Sequence, residues 1–209
     1  MSICAWCETR ACRDPDKGTR PRLCPMREGE WLERALEHYE KPENRRLAQI
    51  AAHIEKTGYC EWPRLKEITE LCRSAEFKRI GLAFCSGIHK EARVVADYFR
   101  NHGFEVISGM CKTGSVDKAE LGIAPEDRFN PEGFEAMCNP IGQAELMNEQ
   151  KTDFNVVLGL CVGHDSLFFK HSDAPVTVLA AKDRVLGHNP LAAVYLADSY
   201  YRKLHEPEE

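Results

Sequence analysis

The sequence lacks several features that would place it in common functional classes. It has no surplus of positive charge, since 28 Lys and Arg residues stand against 33 Asp and Glu residues for a net charge of −5. Nucleic-acid binding is therefore not expected, because phosphate contacts need clustered basic side chains. No apolar run is long enough to span a membrane, and the first residues, MSICAWCETR, contain no apolar signal segment. We therefore expect a cytoplasmic protein with neither a nucleic-acid nor a membrane partner.

Cysteine, by contrast, is abundant. The 209 residues include ten cysteines. Because disulfides are rare in the cytoplasm, such a set more often serves metal or redox chemistry. Single thiols can also be simple packing residues. We assign this role to Cys72, on the apolar face of a predicted helix, and to Cys60, just ahead of that helix.

The order of apolar segments predicts the fold. Residues 1–27 are rich in Cys, Arg and Pro and lack the aliphatic residues that build a core. Further along, strand-like apolar segments alternate with helical patterns, which is typical of a parallel sheet. We predict a doubly wound α/β domain with a mainly parallel four-stranded sheet (78–209), preceded by a helical segment (28–77) and an N-terminal metal-binding knot (1–27). The apolar spacing in 189–204 predicts a closing amphipathic helix.

Four cysteines lie in the predicted knot, and we call them the N-terminal cysteines: Cys4, Cys7, Cys12 and Cys24. The first two are separated by two residues and form one metal-binding knuckle. A segment of this size without a core usually needs a metal to fold. Zinc ribbons usually have two such knuckles, whereas a Cys-Pro pair such as Cys24-Pro25 ends ferredoxin-type motifs. A 4Fe–4S cluster and zinc are therefore both candidates here.

Four further cysteines follow the strand pattern, and we call them the sheet-edge cysteines: Cys85, Cys111, Cys138 and Cys161. Three come directly after the strand segments RIGLAF, FEVISGM and NVVLGL, and Cys138 precedes the helix that leads to the third strand. In open parallel sheets, ligands bind beyond the carboxyl ends of the strands, so these thiols should meet at one edge.

Thiolates gathered from distant parts of the chain favour an iron–sulfur cluster over structural zinc. The ligand sulfurs of such a cluster lie roughly 6–7 Å apart. We predict this spacing for Cys85, Cys111 and Cys161, with Cys138 as the fourth ligand. A redox dithiol, which needs only two of the thiols, and four unrelated buried cysteines are the alternatives.

Polar residues accompany the sheet-edge cysteines in the sequence. They follow Cys138, Cys161 or the fourth strand: Asn139, His164, Asp165, Lys182, Asp183, Arg184 and His188. We expect Lys182, Arg184 or His188 to bind the anionic part of a substrate, and Asp165 or Asp183 to move a proton. The long polar segment 112–131 is expected to close over the site.

The segment CNPIGQAELMNEQKTDFNVVLGLCVGHDSLFFKHSDAPVTVLAAKDRVLGHNP, with CAWC near the start and FCSG after the first strand, resembles an uncharacterised prokaryotic family of cysteine-rich predicted metal-binding proteins. The resemblance covers nearly the whole chain. It implies metal binding by all eight N-terminal and sheet-edge cysteines, and it implies no particular reaction. A looser likeness, limited to thiols near strand ends, is to small desulfidases, in which three cysteines hold a 4Fe–4S cluster and the fourth iron takes sulfur from the substrate.

Two functions are expected from these observations. The first is an iron–sulfur enzyme that uses one open iron of a 4Fe–4S cluster as a Lewis acid on a small anionic or sulfur-containing substrate. The second is a non-catalytic redox or metal sensor, or an electron carrier, with zinc or 4Fe–4S sites and a redox partner protein. The polar residues favour the enzyme, because a carrier does not need them beside its cluster.

Overall fold

The computed structural model describes residues 4–13, 20–27 and 29–206, so residues 1–3 and 14–19 of the predicted knot lie outside it. The chain divides into two compact units, one ending at Thr57 and one beginning at Gly58. The described residues contain the helices α1 (Trp31–Tyr39), α2 (Pro42–Gly58), α3 (Arg64–Ser74), α4 (His89–Asn101), α5 (Pro140–Glu149), α6 (His164–His171) and α7 (Leu191–Tyr195). The strands are β1 (Arg79–Phe84), β2 (Glu105–Met110), β3 (Phe154–Leu158) and β4 (Val176–Ala180).

The four strands form one parallel sheet in the order β2-β1-β3-β4. This confirms the predicted doubly wound α/β fold. The chain passes from β1 to β2 on one side and then crosses back to place β3 on the other side of β1. The strand order therefore reverses between β1 and β3, and the carboxyl ends of these two strands are where a ligand crevice is expected.

The two central strands are apolar because helices cover both faces of the sheet. All five residues of β3 are buried, as are the last five of β1. A Cβ added at Gly81 would collide with Asn155 and would lie 2.6 Å from the Met147 sulfur of α5, so Gly81 permits the close approach of α5. Phe84, three residues further on and on the opposite face, contacts the His89 ring of α4.

Helix α3 packs with the sheet. Ile68 and Cys72 belong to the sheet's apolar core, and the Arg64 Nε donates a hydrogen bond to the Val178 carbonyl of β4 at 2.7 Å. The packing role predicted for Cys72 is thus confirmed, because its side chain is fully buried. The same prediction for Cys60 is wrong. Cys60 is exposed in the turn before α3, with a left-handed φ of 57°. The predicted division into a knot (1–27), a helical segment (28–77) and an α/β domain (78–209) stays a prediction.

The closing helix predicted over 189–204 is wrong in its extent. Helix α7 covers only Leu191–Tyr195, and turns separate it from a 3₁₀ helix at Arg202–His205. The apolar side chains that suggested a long helix, including Val194 and Tyr200, are exposed. Without burial of an apolar face, a helix loses most of its stabilisation in water. No helix in the described ranges is long and apolar enough to cross a membrane.

Candidate functional site

A cavity of about 770 Å³ lies at the carboxyl edge of the sheet, and all four sheet-edge cysteines line it. The structure thus brings together residues from the ends of β1, β2 and β3 and from the loop before α5. Arg184 and His164, both singled out in the sequence, are also in the lining. The role of the four thiols as ligands stays a prediction.

Backbone hydrogen bonds place the thiols at this edge. The Cys85 amide donates to the Leu158 carbonyl at 3.3 Å, and the Cys111 amide donates to the Phe84 carbonyl at 2.9 Å. Both bonds continue the parallel ladder one residue beyond the strands. The Asn139 amide donates to the Cys111 carbonyl at 2.7 Å, which holds the neighbouring Cys138 beside Cys111.

Cys111 and Cys138 form a thiol pair, with their sulfur atoms 4.0 Å apart. The neighbouring Cys111 thiol lowers the pKa of Cys138 to about 6, assisted by the positive charge of Lys112. Conversely, the contact with Cys138, together with burial, raises the pKa of Cys111. The contact therefore favours the thiolate on Cys138 over that on Cys111, and the charge of Lys112 favours it further.

Two cations and one imidazole lie close to the thiols. The Lys112 Nζ donates to the Ala136 carbonyl at 2.5 Å, and the Arg184 Nη2 donates to the Cys161 sulfur at 3.0 Å. Burial lowers the pKa of His164, and the nearby charge of Lys112 lowers it further. The positive charge of Lys112 favours the thiolate form of Cys138.

The outer wall of the cavity comes from the long loop after β2. Lys118 and Glu135 form an ion pair at 2.8 Å with side chains only 16% and 17% exposed, and Lys118 lowers the pKa of Glu135. The Lys118 Nζ also lies 5.5 Å from the centre of the Phe129 ring. The predicted loop 112–131 therefore borders the cavity, while its closure over a substrate stays a prediction.

Other residues singled out in the sequence lie outside the cavity lining. Asp183 Oδ1 accepts hydrogen bonds from the amides of Val185 and Leu186 at 2.9 and 2.8 Å, and the Asp183 amide donates to His188 Nδ1 at 3.2 Å. Asp183 and His188 thus fold the loop that carries Arg184. Their predicted roles in proton transfer and anion binding gain no support from this arrangement.

Two more of these residues, Asp165 and Asn139, accept hydrogen bonds from nearby backbone amides. Lys182 lies beside the cavity. Asp165 Oδ1 accepts from the Ser166 amide, and Asn139 Oδ1 caps α5 by accepting from the Gly142 amide. Lys182 lies near the Cys85 end of the cavity, since a Cβ placed on Gly87 would be 3.9 Å from its Nζ and 3.8 Å from the Cys85 sulfur.

Sequence reasoning missed Lys112, Lys118 and Glu135. The signal for Lys112 was its position directly after Cys111, at a strand end where site residues gather. Lys118 and Glu135 carried no local signal, because their pairing depends on the path of the loop. An isolated bridge between Asp117 and Ala136 sets this path.

Among the described residues, Cys7 and Cys12 contact near neighbours in sequence. Among the described residues up to 27, Ala11 alone is buried. Cys7 and Thr9 form a side-chain hydrogen bond at 3.5 Å, which lowers the pKa of Cys7. Cys12 contacts the Arg10 carbonyl at 3.8 Å. These contacts are local, as expected for a segment without a core.

In the part of the chain that the structure describes, no three His, Cys, Asp or Glu side chains are arranged to hold a metal ion. This holds for the N-terminal cysteines and for the sheet edge alike. Zinc or a cluster at the first site, and a cluster at the second, therefore remain predictions.

The fold and the site together define an α/β protein with a cysteine-lined cavity at the carboxyl edge of a parallel sheet. The chain belongs to the family described as "Protein of unknown function (DUF1847)", whose model matches residues 24–179. It is 46% identical over 174 residues to the uncharacterized protein MJ0455 of Methanocaldococcus jannaschii, covering 83% of this chain and 88% of that protein. The resemblance to an uncharacterised family is thereby confirmed. The family match includes all four sheet-edge cysteines and begins after Cys12.

Proposed function

We propose that this protein is an iron–sulfur enzyme that acts on a small anionic or sulfur-containing substrate. The four sheet-edge cysteines would hold a 4Fe–4S cluster, through all four thiols or through three of them. The observation that carries the proposal is that these thiols, drawn from separate parts of the chain, line a single cavity. With a volume of about 770 Å³, this cavity has room for a small molecule beside a cluster.

The lining residues fit such a cluster chemically. The Ser86 amide donates to the Cys111 sulfur at 3.3 Å, and Arg184 donates to the Cys161 sulfur. Hydrogen bonds to ligand sulfurs tune iron–sulfur sites, and the positive charges of Lys112 and Arg184 offset the negative charge of thiolates.

When bound, a cluster with one iron free of protein ligands supplies a Lewis acid. The chain's own residues bind and orient the substrate. Arg184 uses one guanidinium nitrogen for Cys161, which leaves further N–H donors for an anionic group. The apolar side chains of Leu121 and Phe134, in the outer wall, contact the apolar part of the substrate. Asp165, in the first turn of α6, and Asp183 lie outside the cavity lining, so this proposal gives them no contact with the substrate.

A non-catalytic electron carrier or sensor is the second candidate. The observation that favours it is an apolar rim on the cavity, in which Phe129 is 99% exposed and Leu121 63% exposed. Exposed apolar rims of this kind suit contact with a redox partner protein. We also propose that the N-terminal cysteines hold a second cluster or zinc, because the described residues of their segment bury only Ala11.

Anaerobic purification followed by iron, acid-labile sulfide and zinc analysis tests the proposal. Iron and sulfide should be present in equal amounts. The Cys85→Ser variant should lack the iron and sulfide of the sheet-edge cluster. Cys60→Ser is the matched control, because Cys60 is an exposed cysteine of the same unit. Zinc without sulfide in the unmodified protein would contradict the cluster.

Electron paramagnetic resonance separates the two candidate functions. Mercaptoacetate, a small anionic thiol, should change the spectrum of the reduced sheet-edge cluster if a substrate reaches an iron. An unchanged spectrum at saturating mercaptoacetate would favour the carrier or sensor.

A further inference from the structure

Cys111 and Cys138 are the two cavity thiols whose sulfur atoms are in direct contact, at 4.0 Å. Their main chains are tied together by the hydrogen bond from the Asn139 amide to the Cys111 carbonyl, at 2.7 Å. A disulfide requires sulfurs about 2.05 Å apart on neighbouring backbone segments. Rotation of the two side chains with a small backbone adjustment can therefore close the bond, while the strands and helices stay in place.

We propose that, in the cluster-free chain, Cys111 and Cys138 are a redox-active dithiol that exchanges with a small disulfide entering the cavity. The cavity, at about 770 Å³, admits a molecule of this size. The inference rests on the contact between the two sulfurs, and it holds whether or not the same thiols also bind a cluster.

Cys111 and Cys138 differ in burial and therefore take different roles in the exchange. Cys138 is half-buried, whereas Cys111 is only 3% exposed, so an entering disulfide reaches Cys138 first. The Cys138 thiolate attacks one sulfur of the small disulfide, whose S–S bond breaks and releases a first small thiol. Cys111 then attacks the Cys138 sulfur and releases the second small thiol. The protein dithiol is oxidised by two electrons and the small disulfide is reduced to two small thiols, one of which takes the proton of Cys111 and the other a proton from solvent.

The other two thiols of the cavity are suitable controls. Cys161 is engaged by Arg184 at 3.0 Å, and Cys85 follows β1 with its side chain 8% exposed. Each lines the same cavity, so replacing either by serine tests the cavity environment without removing the proposed pair.

The experiment uses the full chain, freed of metal by an anaerobic chelator and reductant, and then exposed to oxidised glutathione. Non-reducing peptide mapping should show a Cys111–Cys138 link that dithiothreitol reverses. Cys161→Ser and Cys85→Ser should retain the link. Cys111→Ser should instead trap glutathione on Cys138, because the resolving thiol is absent, and Cys138→Ser should give neither product at this pair. Circular dichroism confirms that each variant is folded.

Two outcomes would overturn the inference: no Cys111–Cys138 link in the folded, cluster-free protein, or a link from either residue to a different cysteine. Glutathione trapped on Cys111 in Cys138→Ser, with none on Cys138 in Cys111→Ser, would overturn the assigned order of attack. Iron and sulfide are measured before the metal is removed. A failed disulfide is therefore distinguishable from a failed cluster.

Discussion

The N-terminal and sheet-edge cysteines share a chemistry but differ in what holds them in place. Cys85 and Cys111 are anchored by backbone hydrogen bonds that extend β1 and β2 beyond their last residues, and Cys138 is held beside Cys111 by the bond from the Asn139 amide. The N-terminal cysteines lie in a segment whose described residues bury a single side chain, that of Ala11. The fold therefore positions one set of thiols without any metal, whereas the other has only local turns.

This difference bears on what a metal would contribute at each site. At the sheet edge, the free energy of folding comes from the buried core, so a metal would bind to a largely prepared cavity. In the N-terminal segment, metal binding would itself supply the free energy of folding. Loss of metal should therefore leave the sheet-edge cavity folded but empty, and should unfold the N-terminal segment.

The largest expected effect is in the N-terminal segment. Cys7→Ser, which removes one thiol of the knuckle, should abolish amide protection in residues 4–13 and 20–27, because no core remains to order them. Amides of β1 and β3 should keep their protection. Hydrogen exchange with mass spectrometry measures both regions in one sample, and Cys60→Ser serves as the control. Unchanged exchange in the N-terminal segment would show that something other than metal orders it.

A smaller effect concerns thiol reactivity within the sheet unit. Burial, assisted by the charge of Asp153, raises the pKa of Cys72 to about 12. Because the thiolate is the reactive form, this raised pKa makes Cys72 far less reactive at pH 8 than an exposed thiol. Cys60, exposed in the same unit, is the internal control. Iodoacetamide at pH 8 should modify Cys72 at least ~10³-fold more slowly than Cys60, and chelators should leave the Cys72 rate unchanged. Similar modification rates for Cys72 and Cys60 would mean that burial does not protect the Cys72 thiol from iodoacetamide.

The sheet and its edge could be predicted because their signals are local. Strands such as Arg79–Phe84 are continuous apolar runs, and a residue that follows a parallel strand lies at the carboxyl edge whatever the rest of the chain does. This rule alone predicts that Cys85, Cys111 and Cys161 lie at the carboxyl edge. The position of Cys138 is harder to predict from the sequence, because it depends on the hydrogen bond from the Asn139 amide to the Cys111 carbonyl.

The remaining features depend on contacts that sequence patterns do not carry. Asp183 and His188 looked like site residues, yet their polar groups fold the loop that presents Arg184. The pairing of Lys118 with Glu135 requires the loop to fold back on itself. The 189–204 segment has helical spacing but buries too little apolar surface to hold a long helix.

The smallest expected effect tests whether the fold alone positions the sheet-edge thiols. Gln143 is fully buried in α5, and its Nε2 donates to the carbonyls of Phe84 and Gly109, at 3.2 and 2.6 Å, just ahead of Cys85 and Cys111. Gln143→Met should lower the free energy of unfolding by about 1 kcal/mol, because two hydrogen bonds are lost while the unpartnered Oε1 is also removed. Urea unfolding of the cluster-free protein measures this loss.

Gln150→Met, at the exposed end of the same helix, is the matched control and should stay within about 0.5 kcal/mol of the unmodified protein. Gln143→Met should also change the rate at which small disulfides link Cys111 to Cys138, since it loosens the ends of β1 and β2. Hydrogen exchange in residues 4–13 and 20–27 should be the same in both variants. If Gln143→Met instead matched Gln150→Met in both stability and linking rate, the ends of β1 and β2 would be positioned by the strand ladder alone.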